Sequence, residues 1–255
     1  MRVLITNDDG GRAPGLRVLA QEIVAVYPDS VTVGAAAECG HFGTSLRRDG
    51  WLRRTADLLT SEPASQLTWQ ATPALLVKAA CDGVWGEPPD MVVVGVNYGP
   101  NVGRDVLYSG TVGAALTAIN LGVPALALSL DDVFSTGGRE DGFMHWQTAA
   151  ALAVPLIEWL RDNPLPVALS VNAPNRALPL VSGVRPARLA NAGAAALRSD
   201  ASAGDTDVAL LAAGFITISA VVALDGIPGD AAAAAGRLAR YLMPPERASS
   251  DMVAG

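Results

Sequence analysis

The chain has few of the residues that build disulfides, histidine metal clusters or nucleic-acid interfaces. Two cysteines in 255 residues allow at most one disulfide, and two histidines exclude a histidine cluster. Basic residues are outnumbered, because 18 Lys and Arg against 25 Asp and Glu give a formal net charge of -7. Since no basic field attracts a phosphate backbone, this composition disfavours a nucleic-acid polymer as a partner. A small anionic substrate is compatible with it where a metal or local groups supply positive charge.

The chain also lacks a long apolar run. Its longest, residues 149–157, is too short to cross a bilayer and contains Pro155. Asp8 and Asp9 interrupt the sequence before the apolar segment of a secretory signal could form. These features predict a cytoplasmic protein without a membrane partner. Half of the residues are hydrophobic and 17% are charged, which is enough apolar material for a well-buried core.

Strand and helix patterns alternate along the chain. Apolar runs predict strands at residues 3–6, 31–34, 91–95, 125–130, 167–171 and 215–219. Helical spacing, with start and stop signals, predicts helices at residues 16–26, 74–81, 111–121, 143–160 and 231–241. Such alternation predicts parallel strands covered by helices on both faces, with binding sites at the carboxyl ends of the strands.

The expected fold class is therefore α/β, a three-layer sandwich with a mostly parallel, Rossmann-like doubly wound sheet. The pattern loosens beyond residue 173 before the last predicted strand and helix, which indicates a smaller, β-containing C-terminal extension. We expect a single domain over residues 1–255, with a core at about residues 1–175 and the extension at about residues 176–255.

Two adjacent carboxylates give the first indication of chemistry. Asp8 and Asp9 lie in the turn at residues 7–10, directly after the first predicted strand. Burying two like charges at a strand end costs roughly several kcal/mol unless a cation compensates them. A hard divalent metal with oxygen ligands is the usual compensation. The pair therefore predicts a metal site.

A second polar segment follows the third predicted strand. Residues 95–103 contain three glycines, a proline, Asn97 and Asn101, which offer a backbone that approaches ligands closely and neutral oxygen ligands. Ser109 and Thr111 then flank the start of a predicted helix, where N–H groups and hydroxyls suit a phosphate. Taken alone, this segment fits an ordinary loop with a helix cap as well as it fits a ligand site. Together with the carboxylate pair, it predicts a metal and phosphate site.

The sequence resembles the SurE family of survival-protein nucleotidases over nearly its whole length. The matching stretches are NDDG at 7–10, APG at 13–15, ATP at 71–73, PPDMVVVGVNYGPNVGRDVLYSGTVGAAL at 88–116, SVNAP at 170–174 and DTDVALLAAGFITIS at 205–219. A strand, a GxNxGPN loop and a YSGTV helix start, in that order, form the most specific part of the resemblance.

This resemblance implies a divalent-metal-dependent phosphatase that hydrolyses nucleoside monophosphates with a metal-activated water. By position, Asp8, Asp9 and Asn97 correspond to the metal ligands, and Asp8 and Asp9 to the catalytic carboxylates. One Mg²⁺ or Mn²⁺ ion per subunit is implied, as is a homodimer or homotetramer with subunit contacts through the extension. The residues that correspond to the phosphate-binding part are Asn101, Ser109, Gly110 and Thr111.

The chain departs from the family at the fourth metal ligand. The family has a serine in the loop after the second strand, and this position falls at Gly40. Water could take its place, which suits Mg²⁺. His41 could reach the metal instead and favour Mn²⁺ or Zn²⁺, and an alignment shifted by one residue would present Cys39. We expect water.

Further departures concern substrate recognition and assembly. Ala37-Glu38 and Leu75 replace polar residues of the family, and the segment between residues 172 and 207 is shorter. Two alternative functions are compatible with these changes: a phosphatase specialised for a non-nucleotide pathway intermediate, and a catalytically weak ligand-binding relative. Covalent phosphoaspartate chemistry is disfavoured, because it needs an Asp-x-Asp arrangement rather than adjacent carboxylates.

Overall fold

A computed structural model of the chain describes residues 1–35, 43–46, 66–132, 143–191, 204–222, 236–238 and 240. In these ranges eight strands form one sheet, accompanied by six α-helices. The strands are β1 (Val3–Asn7), β2 (Val31–Ala35), β3 (Gln66–Trp69), β4 (Met91–Tyr98), β5 (Ala125–Asp131), β6 (Val167–Pro174), β7 (Val184–Pro186) and β8 (Ile216–Val222). The helices are α1 (Pro14–Val26), α2 (Pro73–Cys81), α3 (Gly110–Asn120), α4 (Trp146–Ala150), α5 (Ala153–Asp162) and α6 (Asp207–Ala212).

The strand order in the sheet is β3-β2-β1-β4-β5-β6-β8-β7. Neighbouring strands are parallel except β6 and β8, which pair antiparallel. The first six strands follow the order of a doubly wound Rossmann sheet. The predicted α/β fold with a mostly parallel sheet is confirmed, and β7 and β8 supply the predicted C-terminal β structure.

The central strands are buried on both faces, so their side chains alternate between two cores. Ile5 of β1 and Val93 of β4 belong to the core covered by α1, α4 and α5. Leu4 and Val92 belong to the core covered by α2 and α3. Side chains alternate along a regular strand, but a register shift between Val94 and Asn97 changes the alternation near the end of β4, so Val96 lies in the same core as Val93.

Hydroxyl residues begin three of the helices. Thr72, Ser109 and Thr206 precede α2, α3 and α6, and the side-chain oxygen of each accepts a backbone N–H of the first turn. α1 instead begins with Pro14, whose ring presets the helical φ angle. These start signals place the amino ends of α1 and α3 at the edge of the sheet where β1 and β4 end.

Residues 143–160 form two helices, so the predicted single helix is wrong. α4 ends at Ala150 and α5 begins at Ala153. Pro155 explains the break, because in a continuous helix its ring would clash with the carbonyl four residues earlier and it has no N–H to donate. In the first turn of α5 neither restriction applies.

β4 continues to Tyr98, beyond the predicted end at residue 95. Gly95 lies inside the strand with a φ of +139°, and a Cβ there would overlap the carbonyl oxygen of Leu128 on β5. The register between β4 and β5 shifts between Val94 and Asn97. Glycine thus permits a close approach of the two strands, and the longer strand carries Asn97 and Tyr98 to the carboxyl edge of the sheet.

The structure also contains elements that the sequence does not predict. β3, β7 and α6 fall in stretches without a predicted element. Of the predicted helix at residues 231–241, only 236–238 and 240 are described, and these are helical. In the described part of the chain, no helix combines the length and apolar character needed to cross a membrane.

We expect Gly95→Ala to destabilise the fold strongly. The positive φ alone costs an alanine roughly 1–3 kcal/mol, and the overlap with β5 adds about as much again. Gly122→Ala is the matched control, since Gly122 has a φ of +79° but nothing within 4 Å of an added Cβ. Urea unfolding measures both variants. Equal losses in the two would show that close approach of β4 and β5 does not constrain this strand.

Candidate functional site

The polar turn after β1 lies beside the carboxyl end of β4. β1 pairs with β2 on one side and with β4 on the other, so the connections leave in opposite directions and a crevice opens at this topological switch point. Asp8 and Asp9 follow β1, and Asn97 is the second-last residue of β4. The structure therefore brings together the two segments that the sequence placed at strand ends.

Asp8, Asn97 and Thr111 form a buried hydrogen-bonded cluster between β1, β4 and α3. Thr111 Oγ1 lies 2.6 Å from Asp8 Oδ1 and 3.3 Å from Asn97 Oδ1. A hydroxyl has a single proton, which the shorter contact directs to Asp8. Asn97 Oδ1 therefore faces the other oxygen atoms of the cluster, an arrangement that a cation would stabilise.

The Asn97 amide is held so that its oxygen points into this cluster. Nδ2 donates to the carbonyl oxygens of Gly99 at 2.7 Å and Tyr98 at 3.2 Å. A flipped amide would set its oxygen against these two carbonyls, so the hydrogen bonds identify the nitrogen end. Asn97 is thus preorganised to present an oxygen atom beside Asp8.

Asp9 is fixed differently from Asp8. Asp9 Oδ2 accepts the backbone N–H of Tyr98 at 3.0 Å, whereas Asp8 Oδ1 accepts a side-chain hydroxyl of α3. Asp8 is buried and Asp9 is only partly buried. The adjacent pair therefore presents one enclosed carboxylate and one with access to solvent, and these surroundings suit different roles.

The amino end of α3 lies beside Asp8. Ser109 Oγ accepts the N–H of Val112 at 3.0 Å, and the N–H of Gly113 bonds to the Ser109 carbonyl. The N–H groups of Gly110 and Thr111 have no helix carbonyl to bond, and with the helix dipole they offer positive potential to an anion. Ser109 caps α3 through its oxygen atom, and a hydroxyl that accepts one hydrogen bond can still donate its proton. The predicted contacts of Ser109, Gly110 and Thr111 with phosphate remain predictions.

Asn101 reaches the same edge of the sheet, where its polar atoms hold the loop. Its Nδ2 donates to Ser129 Oγ at 2.8 Å. Its backbone N–H donates to Asn172 Oδ1 at 2.8 Å, and its carbonyl accepts from Asn172 Nδ2 at 3.0 Å. The Asn172 side chain thus pairs with this backbone as a neighbouring strand would. The predicted contact of Asn101 with phosphate remains a prediction.

Asn172 is a supporting residue that the sequence analysis assigned no role. It is fully buried in β6, and the available signal was an asparagine within the otherwise apolar stretch at residues 167–174. A buried carboxamide needs hydrogen-bond partners, but the sequence does not say where they lie. Here the hydrogen-bond partners are backbone groups of Asn101, 71 positions away in the chain.

Asp207, the first residue of α6, anchors the same loop from another side. Its buried carboxylate accepts the backbone N–H groups of Gly103 at 2.7 Å, Ala190 at 2.9 Å and Val208 at 2.9 Å. Burial raises the pKa of this carboxyl, and the hydrogen bonds from the N–H groups oppose that shift. The C-terminal part of the chain therefore holds the loop that leads into α3.

The loop after β2 returns to α3 at Gly43. A Cβ on Gly113 would overlap the backbone of Gly43, so glycine is needed for this contact. Thr72 Oγ1 donates to the Ser45 carbonyl at 2.5 Å. Gly40, the expected position of the fourth family ligand, lies outside the described residues, as do Cys39 and His41. The described part of the loop nevertheless lies against the first turns of α3.

A doubly wound sheet with polar groups gathered at its switch point defines the class of α/β proteins that bind ligands at the carboxyl edge. The family model for survival protein SurE matches residues 3–196. The 5'/3'-nucleotidase SurE of Citrobacter koseri is 36% identical over 196 residues, which cover 74% of this chain and 69% of that protein. Its namesake from Erwinia tasmaniensis is 37% identical over 196 residues, covering 74% and 69%. The chain belongs to the SurE family.

A solved structure supports the fold independently. The crystal structure of the SurE protein from Aquifex aeolicus matches with a TM-score of 0.70, covering 87% of this chain and 93% of that chain at 22% identity. At this identity the likeness concerns the fold alone. The range matched by the family model contains the candidate residues from Asp8 to Thr111, whereas Asp207 lies beyond it.

We expect Asp207→Ala to destabilise the protein by about 3 kcal/mol or more. The change leaves three buried N–H groups without acceptors, and each costs roughly 1–3 kcal/mol. Asp205→Ala is the matched control, because Asp205 forms an exposed ion pair with Arg188 and such pairs are worth about 0–1 kcal/mol. Urea unfolding measures the difference. Similar stabilities for the two variants would rule out Asp207 as the anchor of this loop.

Proposed function

We propose that this chain is a divalent-metal-dependent phosphomonoesterase that hydrolyses nucleoside monophosphates. The observation that carries this proposal is the buried oxygen cluster of Asp8, Asn97 and Thr111 at the amino end of α3. The cluster offers oxygen ligands for a hard cation, and the adjacent start of α3 offers N–H donors for an anion. The relatives named 5'/3'-nucleotidase SurE support a nucleotide as the phosphate ester.

The donor atoms of the cluster fit a hard divalent metal. Asp8 and Asp9 contribute carboxylate oxygens, and Asn97 contributes an amide oxygen already oriented by two hydrogen bonds. Mg²⁺ and Mn²⁺ prefer such oxygen ligands. Among the residues that the structure describes, no three His, Cys, Asp or Glu side chains gather to offer another centre. We propose that this ligand set holds one Mg²⁺ or Mn²⁺ ion per subunit.

When bound there, a divalent metal would neutralise charge on the phosphate oxygens and acidify a water molecule. Asp8, Asp9 and Asn97 would hold that metal beside the amino end of α3. The N–H groups of Gly110 and Thr111 bind phosphate oxygens at the helix start. Water then adds to phosphorus and the bond from phosphorus to the nucleoside oxygen breaks. That oxygen takes a proton from solvent as the nucleoside leaves.

Asp9 is the residue that we assign to proton transfer. It is partly exposed, and its Oδ2 is held by the Tyr98 N–H, so the carboxylate is oriented without being enclosed. Asp9 is therefore placed to accept a proton from the attacking water and to pass it to solvent.

A nucleotide substrate is favoured over the alternatives considered from the sequence. The names of the relatives favour nucleotides over another phosphorylated intermediate. The partly exposed Asp9 beside the cluster of Asp8, Asn97 and Thr111 favours catalysis over ligand binding alone, because a binding protein has no need of a proton acceptor beside its metal ligands.

We further propose a single domain over residues 1–255, with a core at residues 1–175 and an extension at residues 176–255 that makes subunit contacts in a cytoplasmic homodimer or homotetramer. The pairing of β8 with β6 supports the single domain. Ile216 and Ile218 of β8 also join the core cluster that contains α1 and α5.

We expect Asp9→Asn to lower metal-dependent phosphate release roughly a hundredfold or more. The fold should be unaffected, because an asparagine oxygen still accepts the Tyr98 N–H. Phosphate release from a purine nucleoside monophosphate with Mg²⁺, Mn²⁺ or a chelator tests the activity, and thermal unfolding tests the fold. Asp82→Asn, in the exposed pair with Lys78, is the control. An Asp9→Asn variant that keeps most of its activity would remove Asp9 from the site.

We expect Thr111→Val to weaken metal binding roughly 10–100-fold, the usual effect of removing a group that orients metal ligands. Valine keeps the shape of the side chain but removes the hydroxyl that bonds Asp8. Calorimetric titration with Mn²⁺ gives the affinity, and Thr111→Ser should restore it. The loss of turnover should shrink with excess metal. Unchanged Mn²⁺ affinity in Thr111→Val would contradict an orienting role.

A further inference from the structure

We propose that Tyr98 and Trp146 form a stacking surface for the nucleobase of the substrate. This surface lies on the opposite face of β4 from the phosphate position. The inference rests on the proposed nucleotidase function and adds the part of the substrate that is recognised beyond its phosphate.

The two rings lie at the carboxyl edge of the sheet. Their centroids are 6.2 Å apart and their planes meet at 46°, within the range of interacting aromatic pairs. Tyr98 is 50% exposed, and it directly follows Asn97 in β4. Its backbone N–H bonds Asp9. A partly exposed aromatic pair is therefore attached to the strand end that carries the candidate metal ligands.

Trp146 has a rigid support behind it. Its six-membered ring lies 3.0 Å from the position that a Cβ on Gly15 would take, so the indole rests on the backbone at the start of α1. Any other residue at position 15 would displace the ring. Trp146 begins α4 and remains partly exposed. The pair is thus positioned by the fold and still has surface available to a ligand.

Alternation along β4 separates this surface from the phosphate position. Asn97 contacts Thr111 of α3 on one face, and Tyr98 contacts Trp146 of α4 on the other. A ligand that reaches both must cross the end of β4. A nucleoside monophosphate has the required form, because its sugar separates the phosphate from the base. An aryl phosphate is too short, since one oxygen atom joins its ring to phosphorus.

Stacking also suits the charge of this protein. The chain carries a net charge of -7, which opposes an anionic substrate at long range. Base stacking on an aromatic side chain needs no charge, and it tolerates different bases because each has a flat π-face. A purine has the larger face. The surface therefore predicts a preference for purine over pyrimidine nucleotides and over phosphates without a base.

The test compares Tyr98→Ala with Tyr98→Phe on a purine nucleoside 5'-monophosphate and on ribose 5-phosphate. Tyr98→Ala should lower kcat/KM for the nucleotide roughly tenfold, chiefly through KM. It should leave ribose 5-phosphate unchanged. Tyr98→Phe keeps the ring and should resemble the wild type. The substitution leaves the backbone N–H that bonds Asp9, so the candidate metal ligands are undisturbed.

The stacking surface is overturned if Tyr98→Ala lowers the turnover of both substrates equally. It is also overturned if Tyr98→Ala lowers the turnover of neither substrate. A change in oligomeric state, measured by light scattering, would also overturn it and assign the rings to a subunit interface. In these outcomes the nucleotidase proposal survives as long as the wild type releases phosphate.

Calorimetric binding of the same nucleotide in the presence of chelator separates the two proposals. No turnover is needed, and Tyr98→Ala should weaken binding roughly tenfold while Tyr98→Phe does not. If the wild type releases no phosphate but shows this difference in binding, the stacking surface stands and the nucleotidase proposal fails. Absence of nucleotide binding in both the kinetic and the calorimetric measurements overturns the stacking surface.

Discussion

The contact on which the site depends is the hydrogen bond from Thr111 Oγ1 to Asp8 Oδ1, at 2.6 Å. It joins the turn after β1 to the first turn of α3, while Asn97 of β4 lies on the other side of the same hydroxyl. Three elements from separate parts of the chain thus meet at one side chain. Because all of them are buried, small shifts of any element would change the distances between the oxygen atoms. The packing of α3 on the sheet therefore sets the geometry of the candidate ligands.

That packing depends in turn on contacts made far from the crevice. Asn172 of β6 pairs with the backbone of Asn101, and Asp207 of α6 accepts the N–H of Gly103. Both hold the loop between β4 and α3. The raised pKa of Asp207 shows that burying this carboxyl has a cost, which its N–H partners offset. The C-terminal strands and α6 are thus linked to the site through its supporting loop, although none of the candidate metal ligands comes from them.

The sequence predicts the convergence of Asp8, Asp9 and Asn97 because parallel strands bring their carboxyl ends to one edge, so local patterns are sufficient. Other features required the structure. A serine before a predicted helix has the same sequence signal whether or not it caps the helix, and only the Val112 contact shows that Ser109 caps α3. The role of Asp207 depends on a partner 104 residues away, which no local pattern encodes. The break near Pro155 was readable from its missing N–H, but apolar spacing favoured one helix.

The two faces of β4 would contact different parts of a nucleotide substrate. In the proposed binding mode, the buried oxygen atoms on the α3 face would hold the metal and the helix N–H groups would bind the charged phosphate, where fixed geometry matters most for reaction. On the α4 face, the partly exposed rings of Tyr98 and Trp146 offer uncharged contact, where adaptability matters more than exact placement. The net charge of -7 opposes an anionic substrate at long range. Short-range contacts on both faces would offset this repulsion, and in the proposed binding mode the two kinds of contact meet at the end of β4.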